Sequence, residues 1–89
     1  GLYFLIQIKS SPTKMDLASK EFKWHTDIIE FYANVVYKYC FNPHSNPKYT
    51  ETYLKTVRED FPDAFPVAVF KGDVITFTEG KAEYEKLMY

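Results

Sequence analysis

The chain has 89 residues, of which 46% are hydrophobic and 19% aromatic, with eleven basic and twelve acidic side chains. A chain of this length is expected to form one domain around one core, spanning residues 1–89. The net charge of −1 argues against a nucleic-acid partner, because proteins that bind phosphate backbones carry an excess of Lys and Arg.

Membrane and secretion signals are not expected. The apolar run Leu2–Ile8, interrupted only by Gln7, is far shorter than the roughly 20 residues of a membrane helix, and no leader pattern accompanies it. A lone cysteine, Cys40, cannot form an internal disulfide, whereas small secreted domains usually carry several. We therefore expect an intracellular, cytoplasmic protein in which Cys40 is a small buried hydrophobic residue.

Neither a metal nor a cofactor is expected. Cys40 and His44 could act as ligands, but two ligands fall short of the four that a structural zinc site needs. His25 is expected at the surface or at its boundary. The acidic patch of Glu59, Asp60 and Asp63 is expected to be a solvated turn, because acid–base pairs need a pocket that separates their pKa values.

The first predicted element is a buried strand over Leu2–Ile8, rich in strand-forming residues and stopped by Ser10-Ser11-Pro12. From Thr13 onward, apolar residues recur at three- and four-residue spacing, which predicts an amphipathic helix. The positions that follow this spacing are Leu17, Glu21, Trp24, Ile28, Phe31 and Val35.

The sequence allows two positions for the C-terminal end of this helix. Asn34 could close it, after which the β-branched and aromatic run Val35–Phe41 would form a second strand. Alternatively, the helix continues to Cys40 and the sheet loses a strand. We favour the strand, because the composition of Val35–Phe41 is typical of one.

The next segment, residues 42–47, is predicted to be a loop because it contains two prolines and two asparagines. A second helix follows over Tyr49–Asp60, with apolar side chains at helical spacing.

The end of the chain predicts a hairpin and a helix. The runs Pro66–Phe70 and Val74–Phe77 are two strands, and the short link through Gly72 makes them antiparallel. Gly80 is expected to end the second strand, and Lys81–Met88 to form the last helix.

The resulting order is β-α-β-α-β-β-α, an α/β arrangement in three layers with parallel pairing of the first strands. This order resembles the thioredoxin and glutaredoxin superfamily. The run Phe65-Pro66 through Asp73 is similar to the family's cis-proline and edge hairpin, and Gly80 with Tyr84 and Leu87 stands where the family has a glycine and its last helix.

The resemblance also shows what this chain lacks. Active members carry Cys-x-x-Cys or Cys-x-x-Ser after the first strand, whereas this chain has Ser11-Pro12-Thr13-Lys14. A serine hydroxyl is a poor nucleophile without a neighbouring base. We therefore do not expect thiol exchange by the family's mechanism.

The leading functional prediction is a non-catalytic thioredoxin-like module that binds another protein. The resemblance places the Ser11 and Pro66 loops in one groove, so the predicted partner-binding residues are Ser11, Pro12, Lys14, Phe65 and Pro66. Such a module could be a small inhibitor or accessory protein. The alternative is a glutathione-binding or degenerate thiol-redox enzyme, in which Ser11 replaces the cysteine and Lys14 holds a carboxylate of the tripeptide.

An aromatic face is a second place for a partner. The chain has sixteen Phe and Tyr residues, too many for a core of this size. Exposed tyrosines are common in protein-binding surfaces, although scattered surface tyrosines without a partner are about as common. The tyrosines considered for this role are Tyr37, Tyr39, Tyr49, Tyr53, Tyr84 and Tyr89.

Overall fold

One antiparallel sheet forms the centre of the molecule. The computed structural model describes residues 1–88, apart from the side chain of Asn42. The strands are β1 (Leu2–Ser11), β2 (Ile29–Ala33), β3 (Val36–His44), β4 (Phe65–Phe70) and β5 (Asp73–Thr76). The helices are α1 (Pro47–Asp60) and α2 (Phe77–Leu87), with a short 3₁₀ helix over Lys20–Phe22. The strand order is β2-β3-β1-β4-β5, and every neighbouring pair is antiparallel.

This arrangement shows that the predicted three-layer fold with parallel strands is wrong. Both helices pack on one side of the sheet: Leu54 and Val57 of α1 belong to the apolar cluster that contains Ile6, and Phe77 of α2 contacts Phe4. We call this side the covered face. The other side, the open face, carries no helix among the described residues.

The predicted helix from Thr13 is also wrong. Its place is taken by a turn and the 3₁₀ helix, followed by β2. Ser19 caps the 3₁₀ helix by accepting a hydrogen bond from the Glu21 N–H, and Lys23 ends it in the left-handed region, with φ of 54°. Three of the five residues of Ile29–Ala33, namely Ile29, Phe31 and Tyr32, have β-branched or aromatic side chains that disfavour helix, and the run pairs with β3 instead.

The open question about residues 35–41 is settled in favour of the strand. β3 runs from Val36 to His44, so the predicted loop after it is shorter than expected. The helix predicted over Tyr49–Asp60 is confirmed and begins two residues earlier, at Pro47. It begins there because Asn46 caps it, accepting the Lys48 N–H at 2.9 Å.

The predicted hairpin at the end of the chain is confirmed. β4 and β5 pair through a turn at Lys71 and Gly72, both with positive φ. The prediction that Gly80 ends a strand is wrong, because α2 already begins at Phe77. Thr76 and Glu79 form a capping box that fixes this start.

The core lies mainly between the covered face and α1. One cluster of its buried residues consists of Ile6, Phe41, Val57, Phe61 and Ala64. On the open face, Leu5, Cys40, Val67 and Val69 are buried among one another and among Phe31 and Val74, because the sheet curls around them. The prediction of a buried Cys40 is confirmed.

Neither helix resembles a membrane span. The longer one, α1, has 14 residues, and no helix within residues 1–88 has the length and apolarity that crossing a bilayer requires.

Candidate functional site

A cleft of about 520 Å³ opens on the open face, where β4 begins and β5 meets α2. We call it the Gln7 cleft. Its apolar wall comes from both strands of the hairpin, and its polar groups come from β1, β3 and the first turn of α2. The described lining residues are Gln7, Lys38, Phe65, Pro66, Val67, Val74, Ile75, Thr76, Phe77 and Glu79.

Strand register places the Gln7 side chain in this cleft. Gln7 lies opposite Phe65 on β4 and opposite Cys40 on β3. Alternation along β1 sends Ile6 to the covered face, so Gln7 is directed to the open face beside the apolar cluster. The single polar residue of an apolar run therefore lies in the middle of the sheet.

The amide of Gln7 is the unusual group of the cleft. The residue is only 6% exposed, and its Oε1 atom is buried with no hydrogen-bond partner among the described residues. A buried acceptor without a partner costs about 1–3 kcal/mol. A partner N–H or O–H group that reached this atom on rotation of the Gln7 side chain would remove that cost.

The cleft has one positively charged and one negatively charged side chain. Lys38 contributes an ammonium group, and Glu79 contributes a carboxylate. The Glu79 Oε1 atom accepts the Thr76 N–H at 3.0 Å, and the backbone and side-chain hydrogen bonds with Thr76 lower the pKa of Glu79. The cleft therefore carries a fixed anion beside its apolar wall.

The described lining of the cleft offers apolar, polar and charged contacts. Of the ten lining residues that the structure describes, none is Ser, Cys or His. The hydroxyl of Thr76 already accepts the Glu79 N–H as the cap of α2. What remains is an apolar wall, an unpaired acceptor and two charges.

The predicted binding residues are divided between two places. Phe65 and Pro66 line the Gln7 cleft, and Phe65 is half-exposed. Ser11 ends β1 opposite Tyr37, four residues beyond Gln7, a separation of about 13 Å along the strand. The single groove expected from the Ser11 and Pro66 loops is therefore not formed. All peptide bonds of the described residues are trans, including the bond before Pro66.

The remaining predicted residues are engaged in local structure. The Ser11 Oγ atom accepts the Thr13 N–H at 3.2 Å, and exposed Pro12 lies between these two residues. Lys14 forms a salt bridge with Glu30 of β2. These contacts hold the turn after β1 in place.

A buried tyrosine connects that turn to the sheet. The Tyr39 hydroxyl donates to Glu30 Oε2 at 2.9 Å and accepts the Met15 N–H at 2.7 Å. Phe22 lies beside it, with ring centroids 5.1 Å apart. Hydrogen bonds from Lys14 and then Tyr39 lower the pKa of Glu30, while burial is the main cause of a raised pKa at Tyr39.

His25 and Asp60, for which the sequence predicted no contact, lie side by side in the fold. His25 Nε2 lies 2.9 Å from Asp60 Oδ2, and the imidazole packs against Phe41 and Phe61. The contact joins the segment before β2 to the end of α1. It spans 35 residues of sequence, and no local pattern indicated it.

Cys40 and His44 lie apart from any metal-binding arrangement in the described part of the chain. No three His, Cys, Asp or Glu side chains within residues 1–88 form a possible metal-binding group. Burial raises the pKa of the Cys40 thiol to about 12. His44 Nδ1 accepts the Asn46 N–H, and its ring stacks on Tyr49.

The aromatic residues are distributed over both faces. Tyr39 is fully buried, Tyr37 and Tyr84 are partly buried, and Tyr49 and Tyr53 are exposed on α1. Tyr89 lies outside the described residues. Among the aromatic residues that the structure describes, Trp24 is the most exposed, at 78%, in the segment before β2.

The comparisons with known proteins give no relative. No family model, no curated protein and no solved structure matches the chain.

Proposed function

We propose that the chain is a non-catalytic module that binds a segment of another protein in the Gln7 cleft. The observation that carries the proposal is the buried, unpaired Oε1 atom of Gln7, a residue that lines a cleft with an apolar wall. Proteins rarely keep such an acceptor without a partner, because its burial destabilises the fold. A partner group that donates a hydrogen bond to it would account for its presence.

The chemistry of the cleft defines the partner's side chain. Phe65, Val67 and Val74 offer apolar contact, and Gln7 accepts one hydrogen bond. Trp and Tyr side chains combine a large apolar surface with one N–H or O–H donor, and they are frequent anchors of protein interfaces. Lys38 and Glu79 would pair with charges that flank this anchor. A role as a small inhibitor or accessory protein is compatible with binding of this kind.

The glutathione alternative receives no such support. It requires the Ser11 hydroxyl and the Lys14 ammonium to face the tripeptide beside Pro66. Ser11 instead bonds within its own turn, and Lys14 is paired with Glu30.

Selection from a library of random peptides displayed on phage tests the proposal. Peptides enriched on the wild-type chain should contain Trp or Tyr. Their affinity should fall at least about tenfold, a loss of about 1.4 kcal/mol, on Gln7→Met or Phe65→Glu. Tyr53→Ala, on the exposed side of α1, is the matched control and should bind normally. Failure to enrich any peptide would contradict the proposal, and so would peptide binding by Gln7→Met and Phe65→Glu as tight as that of the wild type.

A further inference from the structure

The outer edge of β2 is an unpaired strand edge. β2 is the last strand of the sheet on its side, and no backbone hydrogen bond joins its outer edge to another described segment. Ala33 and Val36 flank the two-residue turn at Asn34 and Val35, so they form the closing hydrogen-bonded pair of the hairpin. Because bonded pairs alternate along an antiparallel ladder, Glu30 and Tyr32 direct their N–H and C=O groups outward.

This edge lacks the features that usually prevent strands from pairing. Natural edge strands are commonly protected by Lys, Pro, bulges or short length. β2 contains neither Lys nor Pro, and its register with β3 is regular over all five residues. Its single charged residue, Glu30, is engaged in a salt bridge with Lys14. The opposite edge differs, because β5 has four residues, begins with Asp73 and leads directly into α2.

We propose that this edge binds a second copy of the chain, with the two β2 strands antiparallel about a two-fold axis at Phe31. In this register Glu30 lies opposite Tyr32 of the second copy, and these outward-facing residues exchange backbone hydrogen bonds. Phe31 lies opposite Phe31 of the second copy. The result is a ten-stranded sheet in which both β2 edges are paired. This pairing is independent of the function proposed for the Gln7 cleft.

Charge and backbone geometry select this register over its neighbours. A two-fold axis at Glu30 would set two carboxylates directly opposite each other, which is destabilising. An axis at Tyr32 would set Glu30 against Asn34, whose φ of 55° takes it out of the strand conformation. Only the axis at Phe31 gives a full overlap of Ile29–Ala33 with no like charges opposed.

The apolar side chains of the pair would continue the open face. Phe31 already packs against the cluster around Leu5 and Cys40. Its counterpart would extend that cluster across the axis, and Ile29, which is 37% exposed, would approach Ala33 of the second copy. The Gln7 clefts lie beside β4 and β5, so they would remain open in the pair.

Sedimentation equilibrium of the full chain tests this pairing up to about 1 mM, because a five-residue edge is a small interface and small interfaces associate weakly. The wild-type mass should rise with concentration towards that of two chains. Tyr32→Pro removes an outward-facing N–H without removing a bond to β3, and it should remain a monomer. Tyr32→Ala also loses the contact with Tyr37 but keeps the N–H, so it should associate like the wild type.

Cross-linking provides a measurement that does not depend on a proline in the strand. Phe31→Cys sets two thiols opposite each other across the axis and should form a disulfide-linked dimer under mild oxidation. Tyr53→Cys, exposed on α1, is the matched control and should cross-link at least about tenfold more slowly, a difference of about 1.4 kcal/mol in activation free energy. Both cysteine variants also contain Cys40, which is buried and therefore does not account for a difference between them.

Three results would overturn the proposal. The first is a wild-type monomer at every concentration. The second is a series of species larger than a dimer, because two-fold pairing consumes both edges and closes the assembly. The third is association of Tyr32→Pro equal to that of Tyr32→Ala, together with equal cross-linking of the two cysteine variants.

Discussion

Gly80 of α2 lies directly against Ala68 of β4. A Cβ atom at Gly80 would stand 2.3 Å from the Ala68 Cβ atom and 2.9 Å from Cε1 of Phe4, both closer than van der Waals contact. The close approach allows α2 to pack on the covered face and holds the first turn of α2, with Phe77 and Glu79, at the Gln7 cleft.

Gly80→Ala should therefore destabilise the chain. The overpacking costs about 1–3 kcal/mol, which exceeds the gain of up to about 1 kcal/mol from alanine's helix propensity. Urea unfolding measures the change. Thr78→Ala, at an exposed position of the same helix, is the control and should be neutral or stabilising. A Gly80→Ala protein as stable as Thr78→Ala would show that α2 does not pack this closely.

Gln7→Met should stabilise the fold. It removes a buried acceptor without a partner and keeps a side chain of similar size, so the gain should be about 1–2 kcal/mol. The free energy of unfolding in urea tests this. Leu5→Met introduces the same residue into the neighbouring apolar cluster and should cost less than about 1.5 kcal/mol. A loss of stability in Gln7→Met would mean that the amide is already satisfied in the free protein.

Val35→Gly should also raise stability. Asn34 and Val35 both have positive φ in the turn between β2 and β3, and a β-branched residue is strained there. Glycine removes backbone strain of about 1–2 kcal/mol. Because glycine also loses more backbone entropy on folding, we expect a net gain in the free energy of unfolding of about 1 kcal/mol. Thermal unfolding should show a higher midpoint. Val35→Ala, which keeps a Cβ atom, should gain less, and the reverse order would contradict the turn geometry.

Tyr39→Phe should destabilise the chain. The Tyr39 hydroxyl bonds both Glu30 and the Met15 N–H, and its loss leaves these groups without that partner. The expected cost is about 1–3 kcal/mol by urea unfolding. Tyr37→Phe removes a hydroxyl from the same strand at a partly buried position and serves as the control. Equal stability of the two variants would show that the connection to the 12–28 segment contributes nothing.

The hydrogen bonds of Glu30 predict that the stability of the fold depends on pH. The pKa of Glu30 is lowered from 4.5, first by its hydrogen bond with Lys14 and then by that with Tyr39. A lowered folded pKa stabilises the fold fully above 4.5, and this contribution is lost as the pH falls through the folded value. Glu30→Gln should therefore be less stable than the wild type at neutral pH and approach it in acid.

Urea unfolding of both proteins from about pH 2 to pH 7 measures this convergence. Glu59→Gln, at an exposed position of α1, corrects for the loss of one negative charge. A constant difference between Glu30→Gln and the wild type at every pH would contradict the ion pair with Lys14.

The sequence predicted those parts of the fold that depend on neighbouring residues. The β4–β5 hairpin and α1 follow from local signals, namely the turn at Gly72 and the apolar spacing within 49–60. The helix predicted over residues 13–35 is wrong, because the pairing of β2 with β3 stabilises this part of the chain more than a helix would. That pairing depends on the turn at Asn34 and Val35, where no glycine marks it.

The candidate site could be predicted only in part. Phe65 and Pro66, which line the cleft, were named from a resemblance whose fold is not the one observed. Gln7 was visible as the one polar residue in an apolar run. Its unpaired state depends on β3 and β4, which are distant in sequence, and so could not be derived from the run itself.

The most direct test of the Gln7 cleft is an NMR titration with a Trp- or Tyr-containing peptide selected on the wild-type chain. We expect the side-chain amide signals of Gln7 to shift together with the backbone amides of Phe65 and Val67, and Gln7→Met to abolish the shifts at these two residues. Saturable shifts confined to other residues, with the Gln7 amide unchanged, would contradict it.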